Sequence, residues 1–141
     1  MTQKKFLSQL LEKNKRATIV GSLGTISKDL EELNNGQNCI LPAKGAMGCV
    51  MGMGLGIALS VKNKVIVVIG DGAFLMKAGS VATILRYKPK NLEIIILNNN
   101  KYASCGGQET NFRFYAKGVF SRFLSHFNGR THQVFEVVNI T

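Results

Sequence analysis

The sequence predicts an α/β fold, a three-layer domain with a mostly parallel sheet of about five strands and helices on both faces. Three observations carry that expectation. Residues 65–69 and 92–97 are runs rich in Val, Ile and Leu with almost no polar interruption, the composition of parallel strands buried on both faces. Strand-like runs alternate with helical patterns of about 10–15 residues, which argues for βαβ units with right-handed crossovers. Both long runs stop abruptly at small polar residues, Gly70-Asp71-Gly72 and Asn98-Asn99-Asn100. In open α/β sheets the ligand sits just beyond the carboxyl ends of the strands.

Taken in order, residues 3–14 place Phe6, Leu7, Leu10 and Leu11 on one helical face. Residues 17–20 form a short apolar strand ending at Gly21-Ser22-Leu23-Gly24. Thr25 or Ser27 is positioned to cap a helix over 28–33, which stops at Asn34-Asn35-Gly36. Cys39-Ile40-Leu41 reads as a brief strand before Pro42, and a loop Lys44-Gly45-Ala46-Met47-Gly48 feeds a glycine-spaced helix up to Ser60. The strand 65–69 leads into a helix over 73–87 carrying Leu75, Val81, Ile84 and Leu85. Lys88-Pro89-Lys90 turns the chain into the strand 92–97, and a polar loop runs from Asn98 to Asn111. Residues 112–127 read as a helix and 134–140 as a last strand.

The bulk numbers fit one domain, 1–141, with a single core: 141 residues, 45% hydrophobic, two prolines, no linker and no repeat. The net charge of +10 invites a polyanion partner. The lysines are scattered, however, and no cluster interleaves aromatics as a nucleic-acid stacking platform would. An anionic ligand and a solvated basic surface are the better expectation. Cys39, Cys49 and Cys105 are widely spaced without a Cys-x-x-Cys pair, so reduced thiols and a cytoplasmic location are expected. The first 16 residues lack the features of a signal peptide. The longest apolar run, 46–61, is short for a membrane span and interrupted by Gly, Cys and Ser; it reads as a buried helix.

The chemistry gathers at the two strand ends. Asp71 is one of two aspartates in the chain. An Asp at one strand end and Asn at the next supply hard oxygen ligands for a cation such as Mg²⁺. Glycines beside them let the backbone approach a phosphate. Gly-Asp-Gly alone also suits a tight turn whose Asp caps a helix opening at Ala73. The 25 residues between Gly72 and Asn98 match one helix crossover, which lands both strand ends side by side. A helix opening at Ala73 aims its first amides at the same point. A metal–diphosphate corner is the reading from the residues themselves.

Gly-Asp-Gly, a gap in the mid-twenties and Asn-Asn resemble the cofactor motif of thiamine diphosphate enzymes. That resemblance implies Asp71, the side chain of Asn99 and the main-chain carbonyl of Lys101 as Mg²⁺ ligands. Gly72 and Ala73 would lie beside the diphosphate. The Asn98-Asn99-Asn100 run leaves Asn98 as an alternative to Asn99, which is preferred. Lys44-Gly45-Ala46-Met47-Gly48 resembles the element beneath the cofactor in the same family. There the Gly45 carbonyl would bind the aminopyrimidine, Ala46 would line it, and Met47 would be the apolar wedge that bends the cofactor. Otherwise this stretch is a loop feeding a closely packed helix. Gly21-Ser22-Leu23-Gly24 is either a further source of amides for the diphosphate or an ordinary turn.

The stretch Tyr102-Ala103-Ser104-Cys105-Gly106-Gly107-Gln108-Glu109-Thr110 is similar to a loop of sulfopyruvate and phosphonopyruvate decarboxylases, with Cys105 where a Thr is usual. This resemblance implies a carboxy-lyase acting on a three-carbon 2-oxo acid with an anionic head, which Ser104 and Gln108 could help hold. Such catalysis needs a glutamate on the pyrimidine ring, and that residue belongs to a separate domain in the family. The catalytic residue is therefore expected on a partner chain, an α-type pyrimidine-binding subunit in a hetero-oligomer, with the present chain as the β-type subunit. After Gln108 the family continues through two more helix–strand units, of which about one is visible here. A non-catalytic thiamine diphosphate-binding domain acting through a partner is the alternative, and a basic nucleic-acid module a more remote one. His126 and His132 lie outside every motif and receive no role.

Overall fold

The computed structural model describes residues 1–120 and 134–141. Five parallel strands form one sheet in the order β2-β1-β3-β4-β5: β1 Thr18–Gly21, β2 Cys39–Pro42, β3 Val65–Gly70, β4 Leu92–Asn98 and β5 Phe135–Asn139. All four pairings are parallel, with Thr18 opposite both Cys39 and Val65, and Val65 opposite Leu92. The helices are α1 Gln3–Lys13, α2 Thr25–Leu33, α3 Val50–Ser60, α4 Asp71–Met76, α5 Ser80–Tyr87 and α6 Phe112–Tyr115. The predicted fold class is the observed one.

The two faces follow from the two-residue period of a strand. Val20, Val67, Ile69, Ile94 and Ile96 point into a core shared with α3, α4, α5 and Phe112. Ile19, Ile66, Val68, Ile95 and Leu97 point into a second core covered by α1 and α2. Every residue of 65–69 is buried, which explains why this run shows no polar alternation.

Several local expectations give way to tertiary packing. α2 begins at Thr25 with Gly24, at φ +92°, as its N-cap and no side-chain cap. Thr25 instead donates from Oγ1 to Gln3 Oε1, and the buried Ser27 hydroxyl donates to the carbonyls of Gly21 and Ser22. The helix expected over 73–87 is two helices, α4 and α5, parted at Lys77-Ala78-Gly79. The helix expected to be buried is only half buried. α3 buries Val50, Met51, Gly54, Leu55 and Ala58, while Gly52, Met53, Gly56 and Leu59 face outward. Gly54 explains one glycine of the series, because a Cβ there would lie 2.1 Å from Val67 Cγ2. Of the helix expected over 112–127, α6 runs into a π-helical turn, Ala116–Phe120. Its remainder, with His126 and His132, lies outside the described residues.

Among the described residues no helix is long and apolar enough to cross a membrane. The three cysteines are free and exposed.

Candidate functional site

The strand order reverses between β1 and β3, the point where chain segments diverge and ligands bind in doubly wound sheets. A cleft opens there at the carboxyl ends of the strands. It is lined by Ser22, Leu23, Thr25 and Ile26 after β1, Met47 after β2, Gly70 at the end of β3 with Asp71, Gly72 and Ala73 after it, and Asn99 to Ser104 without Asn100 after β4. Gln3 of α1 and Ile140 after β5 close its sides. The floor is tied together across the switch point. Ser22 N–H donates to the Val68 carbonyl at 2.9 Å, and Gly70 N–H donates to Ser22 Oγ at 3.4 Å.

Asp71 opens α4 and is only 3% exposed. It does not cap the helix: the N-cap is Gly70, with no side-chain bond to the helix amides. Its Oδ2 accepts from the Thr110 hydroxyl at 2.5 Å. No Lys or Arg among the described residues forms an ion pair with it. Burying a carboxylate without a counter-charge is costly, so the geometry leaves Asp71 in want of a cation. The first amides of α4 have no intrahelical acceptors, as at any helix start.

The asparagine run divides its work. Asn98 donates from Nδ2 to Asn139 Oδ1 at 2.8 Å and accepts at Oδ1 from Asn100 N–H at 3.1 Å. Its side chain is thereby committed to joining β4 and β5. Asn99 lines the cleft, and its Oδ1 accepts from Lys101 N–H at 2.9 Å. An amide oxygen has two acceptor sites, so one remains. Asn100 adopts the left-handed conformation at φ +57°, and its Oδ1 is buried with no hydrogen-bond partner.

Lys101 stands opposite Glu109 in an antiparallel bridge. The flanking bonds, Tyr102 N–H to the Gln108 carbonyl at 2.8 Å and Thr110 N–H to the Asn100 carbonyl at 3.1 Å, make this a non-hydrogen-bonded pair. The Lys101 carbonyl consequently points away from Glu109, and no described residue donates to it. The loop from Asn99 to Thr110 is thus closed on itself. Tyr102 seats it on α4, since a Cβ on Gly72 would lie 2.6 Å from the Tyr102 ring.

Asp71, Gly72, Ala73, Asn99, Lys101 and Met47 all line this one cleft. Gly45 and Ala46 do not line it. Gly45 is exposed at φ +78°, and Ala46 packs toward the core beside α3. The 44–48 loop is nevertheless held close: Gly48, at φ +75°, approaches Lys77, Ala73 and Met76 so nearly that a Cβ would lie 2.8 Å from Lys77 Cγ. Thr110 was visible in the sequence only as the last residue of a motif. Its bond to Asp71 spans 39 positions and had no local signal.

Residues 20–129 match the family described as thiamine pyrophosphate enzyme, C-terminal TPP binding domain. The sulfopyruvate decarboxylase subunit beta of Methanocaldococcus jannaschii is 40% identical over 92 residues, covering 65% of this chain and 48% of that protein. Its counterpart from Methanococcus maripaludis is 37% identical over 110 residues, covering 78% of this chain and 59% of that protein. The phosphonopyruvate decarboxylase of Streptomyces hygroscopicus is 40% identical over 94 residues, covering 67% and 23% respectively. The chain spans about half the length of the two beta subunits it matches.

Proposed function

Because the chain belongs to the thiamine pyrophosphate enzyme family through its C-terminal TPP binding domain, we propose that its cleft holds the diphosphate of thiamine diphosphate through Mg²⁺. We further propose that the chain is the β-type subunit of a decarboxylase of a three-carbon 2-oxo acid with an anionic head. Sulfopyruvate and phosphonopyruvate are the candidate substrates, each losing CO₂ to give the aldehyde. The observation that carries this reading is the buried Asp71 carboxylate at the switch point of the sheet, which has no cationic partner among the described residues.

The donor set suits the metal. One carboxylate oxygen of Asp71, the remaining acceptor site of Asn99 Oδ1 and the Lys101 carbonyl are three hard oxygens, as Mg²⁺ prefers. A single formal negative charge holds Mg²⁺ weakly, so the diphosphate supplies the rest of the charge and the ion binds as its complex. Gly72 and Ala73 offer amides at the mouth, and Met47 gives an apolar surface. The Gly45 carbonyl and Ala46 stand at the rim, beyond the present lining. Gly45 and Ala46 would be the residues to hold the aminopyrimidine of the bound cofactor. Among the described residues Lys101 is the one lysine or arginine in the lining, to which Ser22, Thr25 and Ser104 also belong. That group of donors suits an anionic substrate head.

When bound, the cofactor supplies a carbon nucleophile for the 2-oxo carbon and a sink for the electron pair that CO₂ leaves behind. Asp71 is the only carboxylate in the cleft lining, and none of the glutamates lies there. The cleft volume, about 120 Å³, is below the roughly 300–1,000 Å³ of complete small-molecule sites. Both facts favour an α-type partner subunit that completes the pocket and brings the glutamate for proton transfer.

The test mixes this chain with its α-type partner, thiamine diphosphate and Mg²⁺, and follows CO₂ release from sulfopyruvate and from phosphonopyruvate. Turnover of one of them that requires both chains, and is abolished in Asp71→Ala, is the expected result. Cofactor binding without turnover of either acid would assign the binding-only role instead. Absence of Mg²⁺-dependent cofactor binding would overturn the whole reading.

A further inference from the structure

One buried polar contact behind the cleft, to Asp71, is left without a purpose by the metal assignment. Thr110 is 7% exposed and donates its hydroxyl to Asp71 Oδ2. The same Oγ1 accepts from Phe112 N–H at 3.4 Å. With its acceptor side turned to Phe112, the hydroxyl has its proton directed at the carboxylate. Phe112 cannot drift, being fully buried with its ring edge-on to Phe74 of α4 at 5.7 Å. α4 also carries Asp71, so donor and acceptor ride on elements that are packed together.

The other carboxylate oxygen is different. Asp71 Oδ1 has no hydrogen-bond partner among the described residues, yet it is not among the fully buried unsatisfied atoms, of which Asn100 Oδ1 is the single described case. Oδ1 therefore keeps some surface of its own, and Asp71 is part of the cleft lining. One oxygen is locked to the protein and the other looks into the site.

We propose that Thr110 is a positioning residue that makes Asp71 a one-oxygen ligand and thereby sets the site for Mg²⁺ over Ca²⁺. This rests on the metal–diphosphate reading above. Mg²⁺ demands near-octahedral geometry and single-oxygen carboxylate ligation, whereas the larger Ca²⁺ accepts seven or eight oxygens and takes carboxylates through both. Releasing Oδ2 lets the carboxylate turn both oxygens to the cleft. That change penalises Mg²⁺ relative to Ca²⁺, and loss of such an outer contact costs about 10–100-fold in metal affinity.

The experiment titrates the full chain, assembled with its α-type partner, with MgCl₂ and, separately, CaCl₂ in saturating thiamine diphosphate, reading bound metal by calorimetry. Wild type, Thr110→Ser, Thr110→Val and Asp71→Asn are compared, with the melting temperature of each metal-free protein as the structural control. Thr110→Val is expected to lose about tenfold or more in Mg²⁺ affinity and to shift the Mg²⁺/Ca²⁺ ratio toward Ca²⁺. Thr110→Ser, which keeps the hydroxyl, restores the wild-type ratio. An unchanged ratio in Thr110→Val, with metal binding abolished in Asp71→Asn, overturns the role of Thr110 and leaves the metal site standing. A wild-type protein that binds neither ion, or an Asp71→Asn protein that binds both normally, overturns the metal site and this inference with it. If Thr110→Val does not fold, Thr110→Cys takes its place as a weaker donor of similar size. A ratio shifted toward Ca²⁺ relative to wild type supports the role, and the wild-type ratio overturns it.

Discussion

Replacing Gly54 with alanine tests how α3 is seated on the sheet. The added Cβ would lie 2.1 Å from Val67 Cγ2 and 3.6 Å from Leu92 Cδ1. Carbon atoms prefer about 3.5–4.0 Å, so the first contact is too close by about 1.5 Å. Val67 cannot step aside, because it is fully buried in the middle of β3 and its β-branched side chain is stiff at χ1. The helix must lift instead, at an overpacking cost of about 1–3 kcal/mol. Alanine returns about 0.5–1 kcal/mol in helix propensity. The expected net effect, taken from the middle of both ranges, is a loss of about 1 kcal/mol. Gly52 and Gly56 lie in the same helix with nothing within 4 Å of a Cβ. There the same substitution is expected to stabilise by about 0.5–1 kcal/mol. Urea denaturation of the three variants reads the sign at each position. Three equal shifts, or a Gly54→Ala protein as stable as the parent, would refute the close approach of α3 to β3. Val67→Ala introduced into Gly54→Ala should recover part of the loss, a coupling expected only of residues in contact.

Three further outcomes follow from the site and its surroundings. Asn98→Ala should lower stability by about 1 kcal/mol per lost bond in urea melts while sparing Mg²⁺-dependent cofactor binding, and Asn99→Ala should weaken that binding in titration. Lys101→Ala should retain the metal, whose ligand there is the main-chain carbonyl, but raise the KM for the anionic 2-oxo acid in assays with the partner subunit. Glu32 accepts from Lys4 Nζ at 2.7 Å, and this bond and the lysine's charge hold the Glu32 carboxyl below its ordinary value of 4.5. A carboxyl lowered on folding contributes stability that is full above that value and lost as the pH falls through the folded pKa. Glu32→Gln should therefore lower stability slightly near pH 7, flatten the acid limb of the profile, and converge with the parent at low pH.

The fold was legible because its strongest signals are local. The runs 65–69 and 92–97 are buried on both faces, and their composition says so directly. The corner at Asp71 and Asn99 was legible because a strand, one crossover and a second strand fix a spacing along the chain. What escaped notice depends on partners distant in sequence. The Thr25 and Ser27 hydroxyls donate to Gln3 and to carbonyls of the β1 turn instead of accepting from the amides of their own helix. The helix expected over 73–87 shows an unbroken apolar pattern, yet it parts at Lys77-Ala78-Gly79, beside the point where Gly48 presses against Lys77 and Met76. The outward face of α3 was unreadable because Met53 and Leu59 are as apolar as the residues it buries. Thr110 could not be tied to Asp71 without knowing that the 99–110 loop folds back on α4.

The three proposed ligands are not held with equal firmness. Asp71 follows directly on β3, whose residues 65–69 are wholly buried and hydrogen-bonded to neighbours on both sides. Asn99 and Lys101 sit on a loop closed by a few main-chain bonds, those of Tyr102, Cys105, Gly107 and Thr110. In amide hydrogen exchange the β3 protons need global unfolding, whereas those of the loop need only a local opening. Cofactor loading should then slow exchange between Asn99 and Thr110 by orders of magnitude more than within β3. Part of the binding free energy goes into quieting that loop, so a more rigid loop would bind the same ion more tightly without one new contact.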